Sequence, residues 1–159
     1  MNTQTVIEGV TPPPAPKRTP AMVKAAVLAY IQRHKLDWGD PEQAADDIAN
    51  EWHWGIDGYQ LAKDLDIGCG WSISTQDVED LDNITSVVQD AEEQARKAWV
   101  AEWGIKPALA IGTRIAEGVI VGIDKYDAAR YDVKENGCTV EGRFLLIKFE
   151  HAKAVEVTV

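Results

Sequence analysis

Cysteine is almost missing from this chain. Its 159 residues include two, Cys69 and Cys138, far apart in sequence. That excludes a disulfide framework and fits a reducing cytosol. Histidine is equally scarce. His34, His53 and His151 have no partners at ligand spacing and there is no CxxC, so no zinc pattern exists and no cofactor is called for. Long apolar runs are absent too. The longest, AAVLAYI (Ala25 to Ile31), is far short of the ~20 residues a membrane span needs. The opening MNTQTVIEGVTPPPAPKR lacks the apolar stretch of a signal peptide. The expectation is a soluble cytoplasmic protein with no membrane partner.

Positive charge is also in short supply, and unevenly so. The net charge is −10. Residues 1–20 carry +1, residues 21–104 carry 6 basic against 17 acidic side chains (−11), and residues 105–159 carry 8 of each. A middle segment so acidic repels phosphate backbones, which excludes direct nucleic-acid binding through it. A basic partner surface is attracted instead, although acidity for solubility alone gives the same composition.

Punctuation divides the chain in three. Residues 1–18 hold clustered prolines, TPPPAP, and read as a mobile polyproline tail. Residues 19–104 read as an acidic helical bundle. Thr19 caps a helix that opens on Pro20, and Met22, Val23, Ala26, Val27, Tyr30 and Ile31 recur at helical spacing. Asp40-Pro41 opens a second helix, with Gln43 completing a capping box, and Ala44, Ala45, Ile48 and Trp52 on its inner face. Asp57 and Gln60 repeat that pattern before Leu61, Ala62 and Leu65, and Gly68 and Gly70 end the segment. From Ser74 to Gly104 the pattern predicts one helix about 40 Å long, with Glu92 and Glu93 placed to pair with Arg96 and Lys97.

Residues 105–159 switch to a period of two. IGTRIAEGVIVGID predicts two strands broken at Glu117–Gly118. Asn136-Gly137 predicts a two-residue hairpin pairing Val133 with Val140, RFLLIKFE a long buried strand, and AVEVTV a last one. Five short strands in so few residues imply a small barrel. The glycine before the apolar strand, and the second glycine opening the next, resemble the first turn of SH3-like barrels of the KOW and Tudor kind. The expected fold is therefore α+β: an N-terminal helical bundle followed by a small five-stranded SH3-like antiparallel barrel. The resemblance implies a module that binds a peptide or nucleic acid.

Candidate chemistry is sparse. Gly68 to Trp71, GCGW, resembles the cysteine–tryptophan neighbourhood of papain-like proteases but lacks their fuller local signature, and a small thiol in a glycine-rich turn accounts for it. DLDIGCG starts like a calcium loop, then places Gly68 and Thr75 where oxygen ligands belong. No nucleophile–base pattern remains, and the reading is non-enzymatic. The unusual feature is six tryptophans, all between Trp38 and Trp103, among acids rather than the basic residues that base stacking requires. Two candidate surfaces follow. One is an acidic face of Asp46, Asp47, Glu51, Asp77, Glu79, Asp80 and Asp82. The other is an aromatic corner, His53 and Trp54, in EWHWGIDGY. Trp52 of that stretch continues the apolar face and is expected to be buried.

The expected function is an intracellular binding or inhibitor protein whose acidic helical surface docks on a basic, nucleic-acid-binding surface of a larger protein. By size and acidity the chain resembles small phage or plasmid counter-defence proteins, including DNA mimics and anti-CRISPR inhibitors. The alternative is an adaptor that reads a peptide or nucleic acid through its β region, with the bundle as platform.

Overall fold

The computed structural model describes residues 11–156. The chain is α+β and divides into two compact units. One is Lys17–Gln94; the other is built from Ala95 onward together with the segment up to Pro16. The expected tail, residues 1–18, lies partly outside the described residues. Its described part has no regular secondary structure.

The first unit is helical. α1 (Pro20–His34) starts where Thr19 accepts a hydrogen bond from the Met22 amide and buries Val23, Val27, Tyr30 and Ile31. It ends at Lys35, which takes a left-handed conformation. α2 (Pro41–Glu51) buries Ala44, Ala45 and Ile48. The capping box expected there is absent: Asp40 makes no side-chain cap, and Gln43 turns to Asp47 instead. α3 (Gly58–Cys69) is capped by Asp57, which accepts from the Gln60 amide, and buries Leu61, Ala62 and Leu65. The Gln60 side chain does not close the box, because it bonds Asp64. α4 (Thr75–Asp82) has the full reciprocal box between Ser74 and Asp77.

The single long helix expected from Ser74 is broken at Asn83, after which α5 runs Ile84–Trp103. Local bonds explain the break. The Asn83 amide N–H turns back to the carbonyls of Asp80 and Leu81, and its side chain donates to the Glu79 carbonyl and the Tyr30 hydroxyl. Leu81, Ile84 and Val88 then reach the same core as α1–α3. Each aliphatic side chain of that kind contributes about 1.5–3 kcal/mol when fully buried.

The second unit holds β1 (Gly118–Ile123), β2 (Arg130–Glu135) and β3 (Leu145–Lys148), antiparallel in the order β1-β2-β3. Among the described residues the sheet has three strands and stays open, so the expected five-stranded barrel is not supported. Of the other two expected strands the described residues keep only isolated bridges, Arg114 with Val119 and Ile115 with Ala154, and residues 157–159 of the last one lie outside the described residues. Gly112 at φ +94° and the tight Ile115–Gly118 turn leave little length for pairing on one side. On the other, turn bonds from His151 and Ala152 to the Lys148 carbonyl end β3 after four residues.

The Asn136-Gly137 turn exists, with Gly137 at φ +74° and the Cys138 amide bonded to the Glu135 carbonyl. The hairpin register does not follow from it. Val133 pairs with Leu145, not Val140, and Val140 is 57% exposed. The turn is tied elsewhere, by Asn136 Nδ2 to the Ala116 carbonyl and the Asn136 amide to that of Glu117. The apolar run Leu145–Ile147 takes the place beside Tyr131 and Val133, which are fully buried with Ile115 and Ile120. A bulge at Val121 shifts the β1 register between Ile120 and Gly122.

Arg96 anchors α5 within this unit. It is 3% exposed. Its guanidinium donates to the carbonyls of Ala128 and Ala129 and takes both oxygens of Glu150 at 2.7 Å. Of the pairings expected from sequence, that of Glu92 with Arg96 is replaced: Arg96 forks onto Glu150, and Glu92 bonds Arg18. Burial pulls the Glu150 pKa upward, but the hydrogen bonds and charge of Arg96 outweigh it and hold the carboxyl below its ordinary range.

Candidate protein-binding site

Five of the seven acids proposed for one face, Asp46, Asp47, Asp77, Asp80 and Asp82, have separate local partners. Asp46 on α2 sits 3.1 Å from Lys24 Nζ, which also lies 3.5 Å from Glu42. Asp47 accepts the Trp71 indole N–H at 2.9 Å and the Gln43 amide at 2.9 Å. Asp77 accepts the Trp38 indole at 2.9 Å as well as the Ser74 amide. The Trp38 and Trp71 rings meet at 5.6 Å, so the two carboxylates fasten the two ends of one aromatic pair. Burial raises the Asp77 pKa, but the bonds from Ser74 and Trp38 together prevail and set it below the ordinary value.

Asp82 accepts the Gly58 amide at 2.8 Å. Asp80 takes the Gln76 amide, while its carbonyl accepts the Tyr30 hydroxyl. Glu51 is half-buried at the end of α2. Glu79 is exposed, and its carboxylate has no partner among the described residues. Glu42 and Asp90 are also exposed, on α2 and α5.

The aromatic corner is differently built. Trp52 is buried at 8% exposure, with its indole N–H donating to Thr85 Oγ1 at 3.2 Å. Trp54 is 57% exposed and His53 is exposed beside it. Gly55, at φ +85°, turns the chain back toward buried Ile56. The corner is occupied. The Arg18 guanidinium carbon lies 5.0 Å from the Trp52 ring centroid and 5.1 Å from that of Trp54, and Arg18 Nε donates to Glu92 Oε1. Two ring faces and a carboxylate thus hold one guanidinium, the arrangement that ring quadrupoles and charge favour. Sequence spacing concealed this site. Arg18 stands 34 residues before Trp52 and belonged to the expected tail, and Glu92 had a nearer candidate partner in Arg96.

Catalytic chemistry finds little geometry. Cys69 is exposed, and partial burial with the charges of Asp47 and Glu51 pushes its thiol pKa up, away from the reactive thiolate. His53 Nδ1 lies 3.2 Å from the Trp54 carbonyl. A groove of about 580 Å³ between α1 and α5 is lined by alanines with Tyr30, Arg33, Val87, Asp90 and Gln94, which supply no nucleophile–base pair. No cluster of three metal-ligating side chains occurs among the described residues. No helix among them is long and apolar enough to cross a membrane. The chain matches no protein-family model, no curated protein and no solved structure.

Proposed function

We infer that this is a non-enzymatic binding protein whose helical unit docks on a basic surface of a larger protein. One observation carries the reading: the whole charge excess belongs to that unit. Lys17–Gln94 holds 6 basic and 16 acidic side chains, net −10, while the remainder of the chain holds 10 of each. A field of that sign on one compact body steers basic partners toward it and repels nucleic acid. Occupying the basic groove of a nucleic-acid-binding protein makes it an inhibitor, as in the phage and plasmid counter-defence class, anti-CRISPR proteins and DNA mimics included.

The docking residues are the exposed carboxylates Glu42, Glu79 and Asp90 rather than Asp47 and Asp77, whose oxygens hold indoles inside the unit. The test is affinity capture from cell lysate by the wild type and by the triple variant Glu42→Lys, Glu79→Lys, Asp90→Lys, eluted with rising salt. The reading expects a nucleic-acid-binding protein that elutes early from the variant and late from the wild type. Identical elution from both sinks it.

A further inference from the structure

We propose that the Trp52–Trp54 corner is an arginine-reading site, filled in the free protein by Arg18, and that the basic partner docks by exchanging one of its own arginines for it. This rests on the basic-partner reading above and adds the side chain that is recognised.

The corner has the parts such a site needs. Trp52 is fixed by its bond to Thr85 and by burial, so one wall is preorganised. Trp54 forms the other wall and is 57% exposed, which leaves the site reachable from solvent. Glu92 supplies the charge, with its side chain 29% exposed. The specificity follows from shape. A guanidinium is planar, weakly hydrated and able to face two rings while one N–H meets a carboxylate; an ammonium cannot do all three.

The present occupant is also suited to leave. Arg18 is carried by a segment without regular secondary structure, and its own side chain is 33% exposed. The Thr19 cap on the Met22 amide uses other atoms, so α1 keeps its start when Arg18 withdraws. Tethering gives Arg18 an effective concentration in the millimolar range or above. A free arginine therefore competes poorly with it. A partner that also engages the acidic surface of the helical unit overcomes that advantage, which makes Arg18 a gate against isolated arginines.

The experiment uses the full-length chain and a synthetic hexapeptide, Ala-Pro-Lys-Arg-Thr-Pro, with a citrulline version as the uncharged isostere. Binding is read by tryptophan fluorescence in the wild type, in Arg18→Ala and in Arg18→Ala/Trp54→Ala. Removing Arg18 is expected to tighten peptide binding at least ~10-fold. The citrulline peptide and the double variant are expected to lose that gain. If Arg18→Ala binds no better than the wild type, or citrulline binds as well as arginine, the site is not an exchangeable arginine reader. Should Arg18→Ala fail to fold, Arg18→Lys carries the same comparison, since it keeps a cation but lacks the planar fork. The two readings separate cleanly. Peptide capture without any salt-sensitive partner removes the docking function and leaves the arginine site. A salt-sensitive partner that binds Arg18→Ala/Trp54→Ala as tightly as Arg18→Ala removes the arginine site and leaves the docking function.

Discussion

Replacing Gly58 by alanine sets two physical effects against each other. Helix propensity alone makes the variant more stable, by up to about 1 kcal/mol. Packing says the reverse. A Cβ at position 58 would lie 2.4 Å from the Val78 carbonyl oxygen, 2.6 Å from the Asp82 nitrogen and 2.7 Å from the Asp82 Cα, all backbone atoms of α4. None can swing away as a side chain would, so α3 and α4 must separate. Overpacking of this kind costs about 1–3 kcal/mol. Separation also strains the 2.8 Å bond from the Gly58 amide to the Asp82 carboxylate, a class worth about 1.5–3 kcal/mol. The net is a loss of about 2–4 kcal/mol after subtracting the propensity gain. In a unit of this size that lowers the melting temperature by roughly 10–25 °C. Urea denaturation followed by tryptophan fluorescence measures it, because Trp38, Trp52, Trp54 and Trp71 all lie in Lys17–Gln94. A variant as stable as the wild type, or more so, would refute the close approach of α3 and α4.

Other consequences are as direct. Arg96→Ala strips two carbonyls and Glu150 of their partner; allowing for the 33% exposure of the Glu150 side chain, we expect a loss of about 2–4 kcal/mol, seen in thermal unfolding through nearby Trp99. A loss under about 0.5 kcal/mol would place Arg96 in solvent. A double-mutant cycle with Asp47→Ala and Trp71→Phe should give a coupling of about 1 kcal/mol, and additive effects would mean that the carboxylate–indole bond is not formed. Asp132 titrates in the opposite sense to Asp77 and Glu150. Burial first, then the charge and hydrogen bond of Asp124, raise its pKa, with Lys125 opposing. Its favourable contribution is thus present below its unfolded pKa and lost as pH rises through the raised folded value. Asp132→Asn should accordingly stabilise the protein at pH 7, with the gain shrinking in acid; a gain that grows as pH falls contradicts the assignment.

How far the sequence carried depended on whether the signal was local. Thr19, Asp57 and Ser74 cap their helices as their residue types require, because a cap is decided within four residues. Trp52 is buried because it continues the face of Ile48. The long helix and the barrel failed for non-local reasons. Asn83 breaks the helix partly through Tyr30, 53 residues away, and the β3 register was won by Leu145–Ile147 over a turn that local chemistry favoured. The internal partners of the acids were hidden in the same way. Nothing beside Asp47 or Asp77 announces that an indole 24 or 39 residues distant will claim its oxygens. Arg18 was hidden among prolines, and the corner was marked by His53 and Trp54 while Trp52, which also faces Arg18, was read only as core.

The salt dependence of partner affinity is the decisive measurement for a charge-driven docking surface. With the captured partner purified, its dissociation constant for the full-length wild type is measured from about 50 to 300 mM salt, beside the Glu42→Lys, Glu79→Lys, Asp90→Lys variant. We expect a steep weakening with salt for the wild type and a shallower slope with lower affinity for the variant, because exposed charges are screened beyond about 10 Å at 0.1 M. An affinity that is flat with salt, or a slope the three reversals leave unchanged, would contradict it.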